Sequence, residues 1–471
     1  MSPRSSRFSL SHRAILIWVV CLAALSVGAR NFEDGITLDG PFYASIARNI
    51  LRSGNWFTLN SGIPDLNPFY GNPHLGFWVF ALWLKILPAA DWALRIVGHL
   101  YYVAFLSLFF LYVRRKSSEK IAVVSVILLW SWFQFSNPHS NVYLDPGALF
   151  WGALSVFLWD RDRPNPSAGV ALGLCALYKS MTFVGFLPAL ALITFQRRAW
   201  RRAVLALLAF ITPVGLYALA LRSSPEPDFL AKYWSVQITH RFARIWSVAN
   251  LFAFEYWRQF LYYSYYLAPL GLIAFRKQTR SEAVIPTVMA VPFIVIYSVS
   301  GLIGGQYLIM VLPWIAWLIA LGVAEKIRVP SEKLVWGSQV IAVGLLCLAQ
   351  FLPFSTHGRG LPDELDELRA LSRRKEVERL YFDFPVVDTS EKWSTRSLSA
   401  ATAAWYGDVT IEYPDVNRFP RAEKGAAYLL VNPLDRSAIL PPLGWCRGRG
   451  NYRDASLWLP CLTYDLISKT S

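Results

Sequence analysis

Two carboxylates, two cations and an amide–phenol pair stand out in this chain, because each sits at the edge of a long apolar run rather than inside one. Asp39 opens Asp39-Gly40-Pro41-Phe42-Tyr43-Ala44, and Asp145 falls in Tyr143-Leu144-Asp145-Pro146. Lys179 lies in Leu177-Tyr178-Lys179-Ser180-Met181, Arg241 in His240-Arg241-Phe242, and Gln306-Tyr307 follows Gly304-Gly305. A carboxylate can draw a proton from a hydroxyl. A lysine or the planar fork of an arginine can hold a phosphate, and neutralising charge on a departing phosphate stabilises a transition state. With His139 nearby in sequence, the two carboxylates could also hold a divalent cation such as Mg or Mn, or orient an acceptor, although the spacing is not a recognised ligand pattern.

Each residue has a plainer reading. Asp39 with Pro41, and Asp145 with Pro146, stand where helices are capped and started. Lys179 could be a snorkelling anchor, and Arg241 an interfacial cation beside Trp234 and Trp246. The residue types leave both readings open, so the decision passes to the elements that carry them.

Those elements are membrane helices. Of 471 residues 55% are hydrophobic and 16% charged, with 20 Trp, 22 Tyr and 30 Phe; the mean hydropathy is +0.35. Soluble domains carry about 25% charged residues. A disordered chain, a coiled coil and a small disulfide scaffold are excluded. The net charge of +15 gathers in short runs between apolar blocks, as in membrane proteins that set their orientation with basic loops. No recognised nucleic-acid-binding motif accompanies it, so no nucleic-acid partner is expected.

Blocks 14–29, 92–113, 121–135, 146–159, 168–178, 181–195, 203–221, 259–275, 283–299, 302–323 and 334–352 read as crossings, several of them short against the roughly 20 residues a bilayer requires. Six basic runs, beginning at Arg4, Arg114, Arg161, Arg197, Arg276 and Lys326, share one side only if the apolar block 75–87 does not cross. It is therefore expected to lie in the interface, and eleven crossings follow, with the N-terminus inside and the C-terminus outside. The first block also fits a cleaved signal peptide, which leaves the downstream topology unchanged. All the residues singled out above then share the outer face, and the first outer loop is 30–74.

The expected fold is thus an all-α polytopic membrane domain over 1–354, followed by a small α/β extracytoplasmic domain over 355–471. In the latter, 379–384, 409–413 and 427–431 read as strands and 398–405 as a helix. Cys446 and Cys461 could pair there, for about 3 kcal/mol, or stay as free thiols.

Several segments resemble the GT-C glycosyltransferases that use polyprenyl-phosphate sugars, the superfamily of lipid A aminoarabinose transferases and protein O-mannosyltransferases. The matching features are Asp39 with Tyr43-Ala44, Leu51-Arg52-Ser53-Gly54-Asn55-Trp56, Asn72-Pro73-His74-Leu75-Gly76-Phe77-Trp78, Tyr143-Leu144-Asp145-Pro146, Tyr178-Lys179-Ser180 after Gly173-Leu174, and His240-Arg241-Phe242. The resemblance implies Asp39 as catalytic base and Asp145 as a second acidic residue near the acceptor or a metal. It places Lys179 and Arg241 on the donor phosphate and puts Tyr43, His74, His240, Gln306 and Tyr307 around the substrates. It implies a polyprenyl-phosphate-linked donor within membrane lipid, an envelope glycan, lipid or protein as acceptor, and inversion at the sugar. The setting implied is a bacterial inner membrane with the site facing the periplasm. Two departures stand out: Gly40 replaces an acidic residue, and Gly71-Asn72-Pro73-His74 replaces Glu-Lys-Pro-Pro, so His74 occupies the neighbourhood of a missing lysine. The competing reading is a transporter or flippase of lipid-linked sugars, which would bury charges near the midplane; here the apolar spans are largely free of them. A non-catalytic assembly factor is the third.

Overall fold

The computed structural model describes residues 11–31, 36, 39–239, 254–263, 267–275, 280–299, 305–351, 368, 370–383, 400, 402–405, 408–412, 424–431, 445–447 and 455–460. His240, Arg241 and Cys461 lie outside the described residues, as does the side chain of Cys446. The helices are α1 (His12–Asn31), α2 (Asp39–Ser53), α3 (Leu75–Ile86), α4 (Asp91–Lys116), α5 (Glu119–Ser131), α6 (Phe133–His139), α7 (Asp145–Trp159), α8 (Ser167–Tyr178), α9 (Leu187–Arg197), α10 (Trp200–Arg222) and α11 (Phe229–Trp234). Helices Phe254–Tyr263, Arg280–Val299, Leu312–Val323 and Ser331–Phe351 follow. The chain divides into two compact units: Met1–Glu33 with Tyr70–Gly76 and Arg95–Phe354, and Asp34–Phe69 with Phe77–Leu94 and Ser355–Ser471.

The first unit is helical, around a core that includes the fully buried Trp18, Tyr102, Phe105, Phe110, Trp132, Trp314 and Trp317. Among the described residues three helices are long and apolar enough to cross a membrane: Asp91–Lys116, Trp200–Arg222 and Ser281–Val299. Other expected crossings are shorter: α8 has 12 residues and α9 has 11, or about 18 Å of helix against a hydrocarbon layer of roughly 30 Å. Several of the expected crossings are interrupted within their blocks, and the breaks have local causes. Trp132 is extended and separates α5 from α6 within 121–135. Block 259–275 divides between Phe254–Tyr263 and the 3-10 helix Ala268–Phe275. Block 302–323 divides between the 3-10 helix Gly305–Met310 and Leu312–Val323, which restarts on a proline in its first turn. Proline lacks the amide that would continue the previous ladder but suits a helix start.

Close approach between α8 and α10 is set by glycine. A Cβ on Gly169 would stand 1.8 Å from the Ala206 carbonyl oxygen, and one on Gly173 would stand 2.6 Å from the Pro213 ring. The pair forms the small-xxx-small spacing that lets membrane helices pack backbone to backbone.

At one end of these helices the basic runs converge. Asp160, 2% exposed, receives Lys116 Nζ at 2.5 Å, Arg197 at 2.9 Å and Arg115 at 3.7 Å, together with the Tyr112 hydroxyl at 3.0 Å. Arg202 donates to the Pro164 carbonyl, and Lys120 donates to the Ile327 carbonyl. These bonds join three runs read from the sequence as sharing a side, 114–120, 197–202 and 326–333, and Arg197 also donates to the Arg161 carbonyl of a fourth, 161–163.

The second unit contains α2, most of α3 and a five-stranded sheet of order β2-β1-β3-β5-β4. The strands are β1 (Val377–Asp383), β2 (Thr410–Glu412), β3 (Gly425–Val431), β4 (Trp445–Arg447) and β5 (Ala455–Pro460). β1 runs parallel to β2 and β3, while β5 runs antiparallel to β3 and β4. Edge strand β2 is met by loop backbone: Ile411 N–H donates to the Gly62 carbonyl at 3.1 Å, which blunts an open sheet edge. Gly62 has φ +79, a turn conformation that glycine adopts without penalty. β4 and β5 are additions to the three strands read from the sequence.

Candidate functional site

Within the first unit the centre of interest is the start of α7. Leu144 precedes the helix and Pro146 occupies its first turn, so the chain enters α7 with Asp145 at its lip. α8 ends at Tyr178; Lys179 is extended (φ −147, ψ 78), and the 3-10 helix Ser180–Phe186 takes over. That break lets Lys179 turn away from the helix axis. The Tyr178 ring lies across the beginning of α7, where a Cβ on Gly147 would stand 2.4 Å from it. Glycine at 147 therefore admits the ring, and the ring carries the next residue over Asp145.

The result is a two-oxygen contact. Lys179 Nζ stands 2.6 Å from both Asp145 Oδ1 and Oδ2, with side chains 17% and 2% exposed. The Tyr307 ring flanks the ammonium, its centroid 5.1 Å from Nζ, and Tyr297 packs on Tyr307 at 5.3 Å. A cation over an aromatic face is attracted by the ring quadrupole. Of the residues singled out from the sequence, the structure thus brings Asp145, Lys179 and Tyr307 together.

The others fall elsewhere. Asp39 begins α2 and is half-buried; Tyr43, on the same helix, is buried with its ring 5.4 Å from Phe77. His74 is fully buried in the first unit, its Nδ1 2.6 Å from the Tyr217 hydroxyl and its ring 4.4 Å from Phe229. Gln306 lies on Gly305–Met310, next to Tyr307. Beside His74, Tyr70 donates to Glu226 at 2.9 Å and accepts from Lys232 at 3.2 Å. Burial raises the Tyr70 hydroxyl above the ordinary tyrosine value, with Lys232 opposing and Glu226 assisting; the bond to Tyr70 raises the Lys232 ammonium. Neither Glu226 nor Lys232 was picked out from the sequence, because α11 is a six-residue helix without a periodic signal.

At Asp145 the carboxylate is engaged by a lysine rather than by further ligating side chains. Lys179 occupies both carboxylate oxygens, and His139 points its Nδ1 at the Phe135 carbonyl 2.8 Å away with its ring against Tyr102 and Phe135. Among the described residues no group of three His, Cys, Asp or Glu side chains could hold a metal.

These features can be set beside known proteins. No family model matches the chain. The structure superposes on the crystal structure of ArnT from Cupriavidus metallidurans in the apo state with a TM-score of 0.70, at 14% identity, covering 94% of this chain and 97% of that one. The same protein bound to undecaprenyl phosphate gives a TM-score of 0.68 at 15% identity, over 95% and 98% of the two chains. The chain has the fold of ArnT. In sequence, it is 26% identical over 246 residues to the undecaprenyl phosphate-α-4-amino-4-deoxy-L-arabinose arabinosyl transferase of Shewanella sediminis. That match covers 48% of this chain, and the chain spans less than half of the relative's length, 43%.

Proposed function

We propose that this chain is a membrane glycosyltransferase that moves a sugar from an undecaprenyl-phosphate carrier to an acceptor hydroxyl on the outer face of the membrane. The observation that carries the reading is Lys179, an ammonium presented by a broken helix and held between Asp145 and the Tyr307 ring. The donor is a phosphodiester with one negative charge. When the bond from the sugar's anomeric carbon to the phosphate oxygen breaks, the electron pair stays on that oxygen, and the leaving phosphate gains a second negative charge. A cation already in place, and needing no solvent reorganisation, stabilises that developing charge. Asp145 keeps Lys179 pointed, and the ammonium, which has three N–H donors, bonds the donor phosphate while keeping its contact with the carboxylate.

Asp39 takes the acceptor's proton as the new bond to the anomeric carbon forms, so direct displacement inverts the sugar. This role rests on the resemblance of the segment around Asp39. Arg241 joins Lys179 on the phosphate by the same resemblance, with His240 and Gln306 nearby. Tyr43 and His74 belong around the substrates by the same resemblance. Lys179 supplies at Asp145 the positive charge that a divalent cation would otherwise bring. The end at which the basic runs meet around Asp160 faces the cytoplasm of a bacterial inner membrane.

Equilibrium binding of undecaprenyl phosphate to the detergent-solubilised chain tests the phosphate role. Lys179→Met should weaken binding at least tenfold and Lys179→Arg much less. Equal affinity in all three proteins would remove Lys179 from the phosphate.

A further inference from the structure

The second unit places an arginine of α2 in an unusual position. Arg48, 8% exposed, sends its guanidinium to the sheet-bearing part of the chain more than 350 residues later in sequence. Its NH2 donates to the Ala404 carbonyl at 2.8 Å and its NH1 to the Trp405 carbonyl at 3.0 Å. The same NH1 stands 2.6 Å from Asp408 Oδ1, and the guanidinium lies over the Trp405 ring at 5.3 Å. One turn on, Arg52 reaches the same Asp408 oxygen at 2.5 Å. Residues 405 and 408 are themselves held: Trp405 Nε1 donates to Asp91 at 2.8 Å, and Ser372 Oγ donates to the Asp408 carbonyl at 2.9 Å. Asp408 has φ +57, a conformation that aspartate tolerates better than most residues.

A guanidinium shared among two carbonyls, a carboxylate and an aromatic face has little freedom, because its fork fixes direction as well as distance. Arg48 lies nine residues after Asp39 on α2, about 14 Å along a rigid helix. α2 is buried along most of its length, so a constraint at Arg48 is transmitted to its first turn. We propose that Arg48 is a positioning residue: through it the C-terminal segment 402–408 sets the place of the helix that starts at Asp39. This rests on the reading of Asp39 as the base, and it gives the C-terminal sheet a part in the chemistry without any contact to substrate.

The test uses the full chain in detergent or membranes. Arg48→Ala should lower kcat for transfer from a radiolabelled pool of undecaprenyl-phosphate sugars at least tenfold, with the donor KM changed less than twofold. Arg48→Lys, which restores charge but not the fork, should recover part of the loss. Amide hydrogen exchange across 39–53 should accelerate at least tenfold in Arg48→Ala. Where Arg48→Ala does not fold, Asp408→Asn, which keeps both carbonyl bonds and suits the same backbone conformation, should show a smaller change of the same kind. Unchanged exchange in these variants would overturn the clamp. Faster exchange with unchanged kcat, or a change confined to KM, would overturn the positioning role. Faster exchange in a protein whose wild type transfers nothing would support the clamp and count against the glycosyltransferase reading alone.

Discussion

Lys179 Nζ is 2.6 Å from both carboxylate oxygens of Asp145. A pair so enclosed is not a surface ornament. Removing one partner from a buried ion pair leaves an uncompensated charge and costs about 3–5 kcal/mol, whereas replacing both can be nearly neutral.

Stability and activity should therefore part company in a double-mutant cycle. Lys179→Met alone should lower the melting temperature sharply, the equivalent of about 3–5 kcal/mol. Asp145→Asn with Lys179→Met should recover most of that stability while leaving transfer absent. Thermal unfolding followed by tryptophan fluorescence, paired with a transfer assay, reads both. Recovery of transfer along with stability would show the pair to be structural.

Helix packing offers a second check. Gly169 has the Ala206 carbonyl where a Cβ would go, whereas a Cβ on Gly215 of α10 meets nothing within 4 Å. Gly169→Ala should destabilise the detergent-solubilised protein by several degrees. Gly215→Ala should be neutral or stabilise by about 0.5–1 kcal/mol, since alanine favours the helix. Equal effects at the two positions would contradict the packing described.

How much of this was legible in the residues differs from place to place. The basic runs could be assigned to one side because membrane orientation leaves a periodic charge record, and the convergence on Asp160 joins two of them. Asp160 itself carried no signal, being one carboxylate beside two arginines. Asp145 and Lys179 each stood out as a charge at the edge of an apolar block, but their pairing did not, because it depends on how α8 breaks. His74 looked like a stand-in for a missing lysine, yet the chain buries it against Tyr217, a partner 143 residues away. Nothing in the spacing around Arg48 pointed to its partner Asp408, which lies far along the chain. Short strands such as β4, with three residues, are too brief for alternation to show.

The convergence on Asp160 makes its own prediction. Asp160→Ala leaves Lys116, Arg115 and Arg197 facing one another without their shared anion, so folding should lose about 3–5 kcal/mol. Asp160→Glu should retain part of it. Expression level and melting temperature of the two variants, compared with an exposed control such as Asp228→Ala, measure the difference.

Because Lys179 holds the carboxylate that a cation would need, transfer should survive treatment with a strong chelator, and added Mg or Mn should not raise it. A chelator-sensitive rate restored by one of these ions would show that a cation displaces Lys179 from Asp145, contrary to the assignment above.

The most direct measurement is transfer itself. Membranes carrying the wild type or Asp39→Asn would be given radiolabelled undecaprenyl-phosphate sugars, the aminoarabinosyl form first, and the label followed into acceptors. Transfer by the wild type that falls at least a hundredfold in Asp39→Asn, at equal expression, is the expected result and falls in the range attributed to general-base catalysis, roughly 10²–10⁴. Equal transfer by both would contradict the role of Asp39, and movement of label across the membrane without transfer by either would make the chain a flippase.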